Sequence, residues 1–245
     1  MDRQSVLDII DLPERLAISE ADLETIFWLM YPRFRFLKTV KPNAVFLDIG
    51  ASTGALAHWR EWQSPRRMDI KMYGVDLVRG ENAGLYEAWE VVDLDIRRPN
   101  FPGVMFDAFL ASHLIEHISS LDSLLGYIHD VANPSARLYF EWPAPKTLTF
   151  PKCTELAARG FTIQTCNFFD DSTHRQTYEL AAVQTQLARA GFRVIERGEI
   201  NLGLVAEEMM ARGRRLDNLL YRQMGFWAAV GWSNYIIAER IIANR

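Results

Sequence analysis

From Ala44 onward, short apolar runs closed by acidic or polar residues alternate with amphipathic stretches. The apolar runs predict strands at Ala44–Ile49, Lys71–Asp76, Trp89–Leu94, Met105–Ser112, Arg137–Trp142, Phe192–Glu199 and Asn234–Arg240. Helical periodicity predicts helices at Gly54–Gln63, stopped near Pro65, at Ser120–Ala132, capped by Ser119 or Ser120, and at Thr177–Ala190, closed by Gly191. Leu204–Gln223 reads as a polar helical stretch inserted before the last strand, within residues 203–228. Residues 1–40 read as helical, with Ser19-Glu20-Ala21-Asp22 as a start signal. There Phe27, Trp28, Met30 and Tyr31 give an aromatic-rich face before Pro32, suited to packing on the core or to a flap over a ligand. Strands alternating with helices predict an α/β fold, a mainly parallel sheet covered on both faces. Such sheets bind ligands at the carboxyl ends of their strands, where Asp48, Asp76, Asp93, Ser112 and Glu141 fall.

The first strand and its turn, Val45-Phe46-Leu47-Asp48-Ile49-Gly50-Ala51-Ser52-Thr53-Gly54-Ala55-Leu56-Ala57, carry the most chemistry. The glycines are spaced Gly-x-x-x-Gly rather than the Gly-x-Gly-x-x-Gly of dinucleotide folds. Gly50 lets the backbone pass close to a ligand, and Gly54 lets the next element start close to the sheet. Asp48 at the strand end can face a ligand ammonium. The stretch therefore suits a cationic, amino-acid-like cofactor better than a pyrophosphate.

Composition narrows the classes further. The chain is 49% hydrophobic and 24% charged, enough apolar material for a sizeable core. A net charge of -4 gives no basic face for nucleic acid, so no nucleic-acid partner is expected. Cys153 and Cys166 are too few for a disulfide framework or zinc knuckle. Met1-Asp2-Arg3-Gln4 opens without a signal-type apolar core, and Gly225–Ala238 is too short and polar to span a bilayer. A cytoplasmic location without a membrane span is expected, with a small-molecule partner and a monomeric or homodimeric state.

Four motifs together resemble the class I S-adenosylmethionine-dependent methyltransferases: Asp48–Gly54, Gly74-Val75-Asp76, Val92-Asp93-Leu94 and Phe106–His117. The resemblance covers about Val45 to Glu196 and implies a Rossmann-like, seven-stranded, mainly parallel sheet with a C-terminal antiparallel hairpin, in a domain spanning 41–245. It implies S-adenosyl-L-methionine as cofactor, held by Asp48, Gly50, Ser52, Gly54, Asp76, Asp93, Leu94 and Ser112. Asp76 falls at the ribose position, and Asp93 falls where the family binds the adenine amino group, with Asp95 as a competing candidate. Trp89 or Leu77 could pack on the adenine. The chain departs from the family at Pro134-Ser135-Ala136, where Pro-Gly-Gly is usual, and at Ile96–Val104, too short for a full helix.

His113, Glu116 and His117 would share a face if they formed one helical turn. They are similar to the metal-holding turn of some O-methyltransferases, but His113 replaces the first acid, which disfavours Mg²⁺. No metal is therefore assigned, with a divalent ion kept as the alternative. The favoured reading is that Glu116 and His117 brace the loop through hydrogen bonds. His174, in Asn167-Phe168-Phe169-Asp170-Asp171-Ser172-Thr173-His174-Arg175, is a candidate general base within the 146–176 substrate-side loop. That loop resembles one in glycan-synthesis methyltransferases, with Trp142, Phe168, Phe169 and Tyr178 as stacking walls for a sugar. The expectation is O-methylation of a sugar or glycan hydroxyl, with His174, His117 and Glu116 catalytic and His113, Trp142 and Tyr178 on the substrate side. The alternatives are a phenolic or quinone-type acceptor, a non-catalytic cofactor-binding subunit, and a nicotinamide oxidoreductase, against which the glycine spacing argues. Around Glu207-Glu208 and Arg212, Arg214 and Arg215, a solvated face is expected.

Overall fold

The computed structural model describes residues 1–241, so positions 242–245 of the expected 41–245 domain lie outside the described residues. The chain forms two compact units, each assembled from three separated stretches. One comprises Arg33–Trp142, Glu179–Gly198 and the chain from Tyr235 onward; the other comprises Met1–Pro32, Pro143–Tyr178 and Glu199–Asn234.

The first unit is organised on a seven-stranded sheet of β1 (Val45–Ile49), β2 (Lys71–Asp76), β3 (Ala88–Val91), β4 (Phe106–Ser112), β5 (Ala132–Pro143), β6 (Phe192–Glu199) and β7 (Ser233–Arg240). The strand order is β3-β2-β1-β4-β5-β7-β6. β1 runs parallel to β2 and β4, with Asp48 beside Gly74 on one side and Leu110 on the other. β3 and β5 extend the parallel part on the two flanks. Ile200 N donates to Ser233 O and Ile241 N to Gly191 O, each at 2.8 Å, so β6 and β7 run antiparallel. Phe46, Leu47, Phe109, Ala111, Leu138 and Phe140 are buried, as expected for central strands covered on both faces. Strand order reverses between β1 and β4, the position at which open parallel sheets bind ligands outside the carboxyl ends of their strands.

Several elements depart from the sequence pattern for identifiable reasons. The expected helix at 54–63 is a tighter 3₁₀ stretch, Ala55–Arg60. Arg60 Nε takes the Ala57 carbonyl at 3.2 Å, and Glu61 N donates to His58 O instead. β5 begins earlier than Arg137, with a register shift opposite Phe106 and Ala108. β3 stops at Val91; Asp93 O then accepts from Ile96 N and Arg97 N in a turn. Helix α4 (Leu121–Val131) is capped by Ser120, whose side chain accepts from Ser123 N. Helix α6 (Leu180–Arg189) starts three residues late, because Thr177 Oγ1 donates to Pro143 O at 3.0 Å.

The second unit is mainly helical: α1 (Arg3–Asp8), α2 (Glu20–Met30), α5 (Cys153–Ala157), α7 (Leu204–Arg215) and α8 (Leu219–Val230). The expected single stretch from Leu204 thus divides at Asp217 (φ 51), and Asn218 caps the second helix. α7 and α8 pack closely: a Cβ on Gly225 would stand 2.4 Å from Met210 N. Of the charged face of α7, Arg214 and Arg215 are exposed as expected, whereas Glu208 and Arg212 are a correction to the solvated face. Glu208 is fully buried and accepts from Arg15 N at 2.6 Å and Leu16 N at 3.1 Å. Arg212 donates to Glu208 Oε1 at 2.9 Å and to the carbonyls of Leu16 and Ile18 at 2.7 Å. These residues clamp the N-terminal segment onto α7. Among the described residues, no helix is long and apolar enough to cross a membrane.

Candidate active site

Two adjacent strands of the sheet unit, β1 and β2, carry an acid at or next to their carboxyl ends. Asp48 on β1 is 3% exposed, and Tyr86 Oη donates to its Oδ2 at 2.7 Å. Burial pushes its carboxyl up to about 7, opposed by the Tyr86 hydroxyl and Arg33 and aided by Asp76. Asp76 at the end of β2 is partly exposed and accepts from Ser52 N at 2.7 Å. That bond holds the turn after β1, in which Gly50 (φ 73), Ser52 (φ 51) and Gly54 (φ 78) all take the left-handed conformation. A side chain at Gly54 would meet Tyr86 and Trp89 at 3.1 and 3.2 Å.

Asp93 and Leu94 follow β3. Asp93 Oδ1 accepts from Asp95 N at 2.9 Å, whereas Asp95 Oδ1 accepts from Ser119 N and Oγ, both at 2.8 Å. Asp95 is thus used in bracing the approach to α4. Leu94, Asp95, Ile118, Ser119 and Tyr127 line a groove of about 140 Å³. Leu77, after Asp76, is 65% exposed. Trp89 instead lies on Gly74, where a Cβ would stand 2.4 Å from its ring, and donates to Val78 O at 3.1 Å.

Past β4 the chain bends rather than forming the expected helical turn. His113 has φ 53, and His117 N donates to Leu114 O at 2.9 Å. The bend still places the His113 ring 3.0 Å from Glu141 Oε1 and 3.4 Å from Glu116 Oε1. Glu116 and Glu141 are both fully buried. Burial alone would discharge the imidazole, but the two carboxylates outweigh it and lift His113 to about 9. His113 is therefore a charged clamp at neutral pH, not a proton acceptor. Tyr139 Oη donates to Glu141 Oε2 at 2.8 Å, and Arg33 Nη1 donates to Ser112 Oγ at 2.7 Å. His117 is half-buried in the same turn.

In the helical unit, His174 Nδ1 lies 2.6 Å from Phe168 O, its ring packs on Phe168 at 4.6 Å, and Nε2 is 3.9 Å from Asp171 Oδ2. Asp170 Oδ2 accepts from Cys153 N, Cys166 N and Asn167 N, which pins the loop. Tyr178 is half-buried and accepts from Gln176 Nε2. Trp142 and Phe168 are buried, so neither presents an open ring face; Phe169, at 61% exposure, does.

The sequence pattern identified the strand-end acids but missed Tyr86 and Arg33. Tyr86 reaches Asp48 across 38 positions, a separation no local spacing reveals. Arg33 lies in the first turn of α3 (Pro32–Thr39), where it reads as a surface helix residue.

Comparison with known proteins places this arrangement in context. The family described as methyltransferase domain matches residues 31–197. No curated protein matches the sequence. Among solved structures, an S-adenosylmethionine-dependent methyltransferase from Mesorhizobium loti is similar, with a TM-score of 0.55 and 17% identity over 85% of this chain and 96% of that one. One from Archaeoglobus fulgidus has a TM-score of 0.52 and 18% identity over 89% and 94%. An O-methyltransferase family protein from Burkholderia thailandensis has a TM-score of 0.53 and 13% identity over 92% of this chain and 60% of that one. At these identities the structural likeness is one of fold.

Proposed function

The chain belongs to the class I S-adenosylmethionine-dependent methyltransferases, and from that premise we propose that it methylates a hydroxyl oxygen of a sugar or glycan. S-adenosylmethionine supplies an electrophilic methyl carried on a sulfonium. The donor set suits that cofactor: a buried acid, Asp48, for an ammonium, and an accessible acid, Asp76, for ribose hydroxyls. Gly50, Ser52 and Gly54 shape the turn between them. Asp93 and the Leu94 N–H would take the adenine, a role that the use of Asp95 by Ser119 supports. Ser112, at the end of β4, lies on the methyl side.

The residues need to align an acceptor and remove its proton. The observation carrying the oxygen reading is the orientation of the His174 ring. Its Nδ1 donates to the Phe168 carbonyl at 2.6 Å, which assigns proton transfer by this ring to Nε2. His174 takes the hydroxyl proton, Phe169 supplies an exposed ring for a sugar, and Tyr178 binds its hydroxyls. Glu116 acts by holding His113 in its charged form.

The test is methyl transfer to a panel of nucleotide-sugars, glycans and phenols, followed by mass spectrometry. An O-methylated sugar is expected, with turnover at saturating acceptor falling roughly 100-fold or more in His174→Gln. Methylation of phenols alone, or unchanged turnover in the variant, would overturn the reading.

A further inference from the structure

We propose that Cys153 and Cys166 form a redox-modification site: an oxidant of the small-molecule disulfide class joins them in a reversible disulfide that closes and braces the segment between α5 and Phe168.

Placement supports it first. Two cysteines make no disulfide framework, but the helical unit brings these two together. Both are free thiols, on segments that meet at one carboxylate. Asp170 Oδ2 accepts from Cys153 N at 3.1 Å and from Cys166 N at 3.0 Å. The two backbone nitrogens are therefore no farther apart than these distances combined, about 6 Å. Bridged cysteines have Cα atoms about 4.4–6.8 Å apart, so this spacing suits a bridge. The side chains converge as well. The Asp170 carboxylate and the Cys166 N–H both lie at the Cys153 thiol, and the two thiols are near enough to feel each other's charge.

Access sets an order of events. Cys153 is half-buried, whereas Cys166 is fully buried and Trp232 Nε1 donates to its carbonyl at 2.6 Å. Cys153 is the thiol an oxidant reaches, and Cys166 is the thiol that resolves. Burial and the Asp170 carboxylate hold both thiols protonated, with Cys153 pushed up to about 12. That slows the exchange, but it gives the reduced pair no thiolate stabilisation to set against the bridge. The Cys153 sulfur attacks one sulfur of the oxidant and expels a small thiolate, which takes up the Cys153 proton. The Cys166 sulfur then attacks the Cys153 sulfur, and the second small thiol leaves with the Cys166 proton. One S–S bond breaks and one forms; the two cysteines lose two electrons and two protons, and the oxidant gains them. Cys166 stands two residues before Phe168, whose carbonyl lies 2.6 Å from His174 Nδ1. Closure thereby constrains the segment that orients His174.

The experiment is prolonged incubation of the reduced protein with excess oxidised glutathione, read by mass spectrometry of the intact chain and of its peptides. The wild type is expected to lose two hydrogens, with Cys153 and Cys166 in one linked peptide pair, and a thiol reductant should restore the starting mass. Its thermal midpoint should rise by roughly 5–10 °C on oxidation, from the chain entropy that the closed loop removes, and return on reduction. Cys166→Ala should stop at the mixed disulfide on Cys153, and Cys153→Ser should take up no glutathione. The wild-type result stands without the variants, should either fail to fold. A wild type that ends as the mixed disulfide, that joins its cysteines between two molecules, or that keeps both thiols free would overturn the proposal. So would an oxidised form whose thermal midpoint is unchanged.

Discussion

The substitution Asp48→Asn isolates the electrostatics at the centre of the site. The carboxyl is 3% exposed, and burial lifts it from 3.8 to about 7. A shift of about three units corresponds to about 4 kcal/mol favouring the neutral form in the fold. The sign follows from linkage: with the folded value above the unfolded one, this contribution is fully present below about pH 3.8 and is lost as pH rises through about 7. An asparagine at this position would have nearly the same shape, could accept from Tyr86, and would not titrate. Titrations elsewhere in the protein are common to both forms and cancel in the difference. The variant's stability relative to wild type should therefore increase by about 2–3 kcal/mol between pH 5 and pH 8. Urea unfolding of both ligand-free proteins across that range measures it. Binding should move the opposite way. Wild-type affinity for S-adenosylhomocysteine should rise with pH through about 7 as Asp48 ionises, and the variant should bind weakly throughout. A stability difference that stays flat with pH, or full affinity in Asp48→Asn, would refute the reasoning.

Other expectations rest on single contacts. Arg212→Met leaves Glu208 buried without its cation and should cost about 3–5 kcal/mol in urea unfolding; adding Glu208→Gln should recover much of it. His113, lifted to about 9, contributes stability that is full below 6.5 and lost as pH rises through about 9, so His113→Gln should flatten the stability profile across that window. Gly74→Ala would place a Cβ 2.4 Å from the Trp89 ring and should cost about 1–3 kcal/mol, with altered tryptophan fluorescence.

How much was legible beforehand depended on sequence distance. Asp48, Asp76 and Asp93 were readable because each closes an apolar run, and a strand is specified by its own few residues. Ser120 was readable as a cap because its bond to Ser123 N is local. The Arg212–Glu208 clamp was not readable, because it is completed by backbone groups nearly two hundred positions away. The same holds for Arg33 at Ser112, 79 positions apart. The helix expected after Gly54 tightened where the Arg60 guanidinium is drawn to the carbonyls of Ile70 and Leu85, ten and 25 positions on, a demand that periodicity does not carry. Trp142 looked like a ring for a substrate because aromatic residues serve both cores and binding walls; its complete burial assigns it to the core.

The most direct test of the central claim is a crystal structure grown with saturating S-adenosylhomocysteine. The nucleoside is expected at the carboxyl ends of β1, β2 and β4, with the ammonium of the ligand on Asp48 and its ribose hydroxyls on Asp76. A ligand bound elsewhere, or no ligand density beside Asp48 and Asp76, would contradict it.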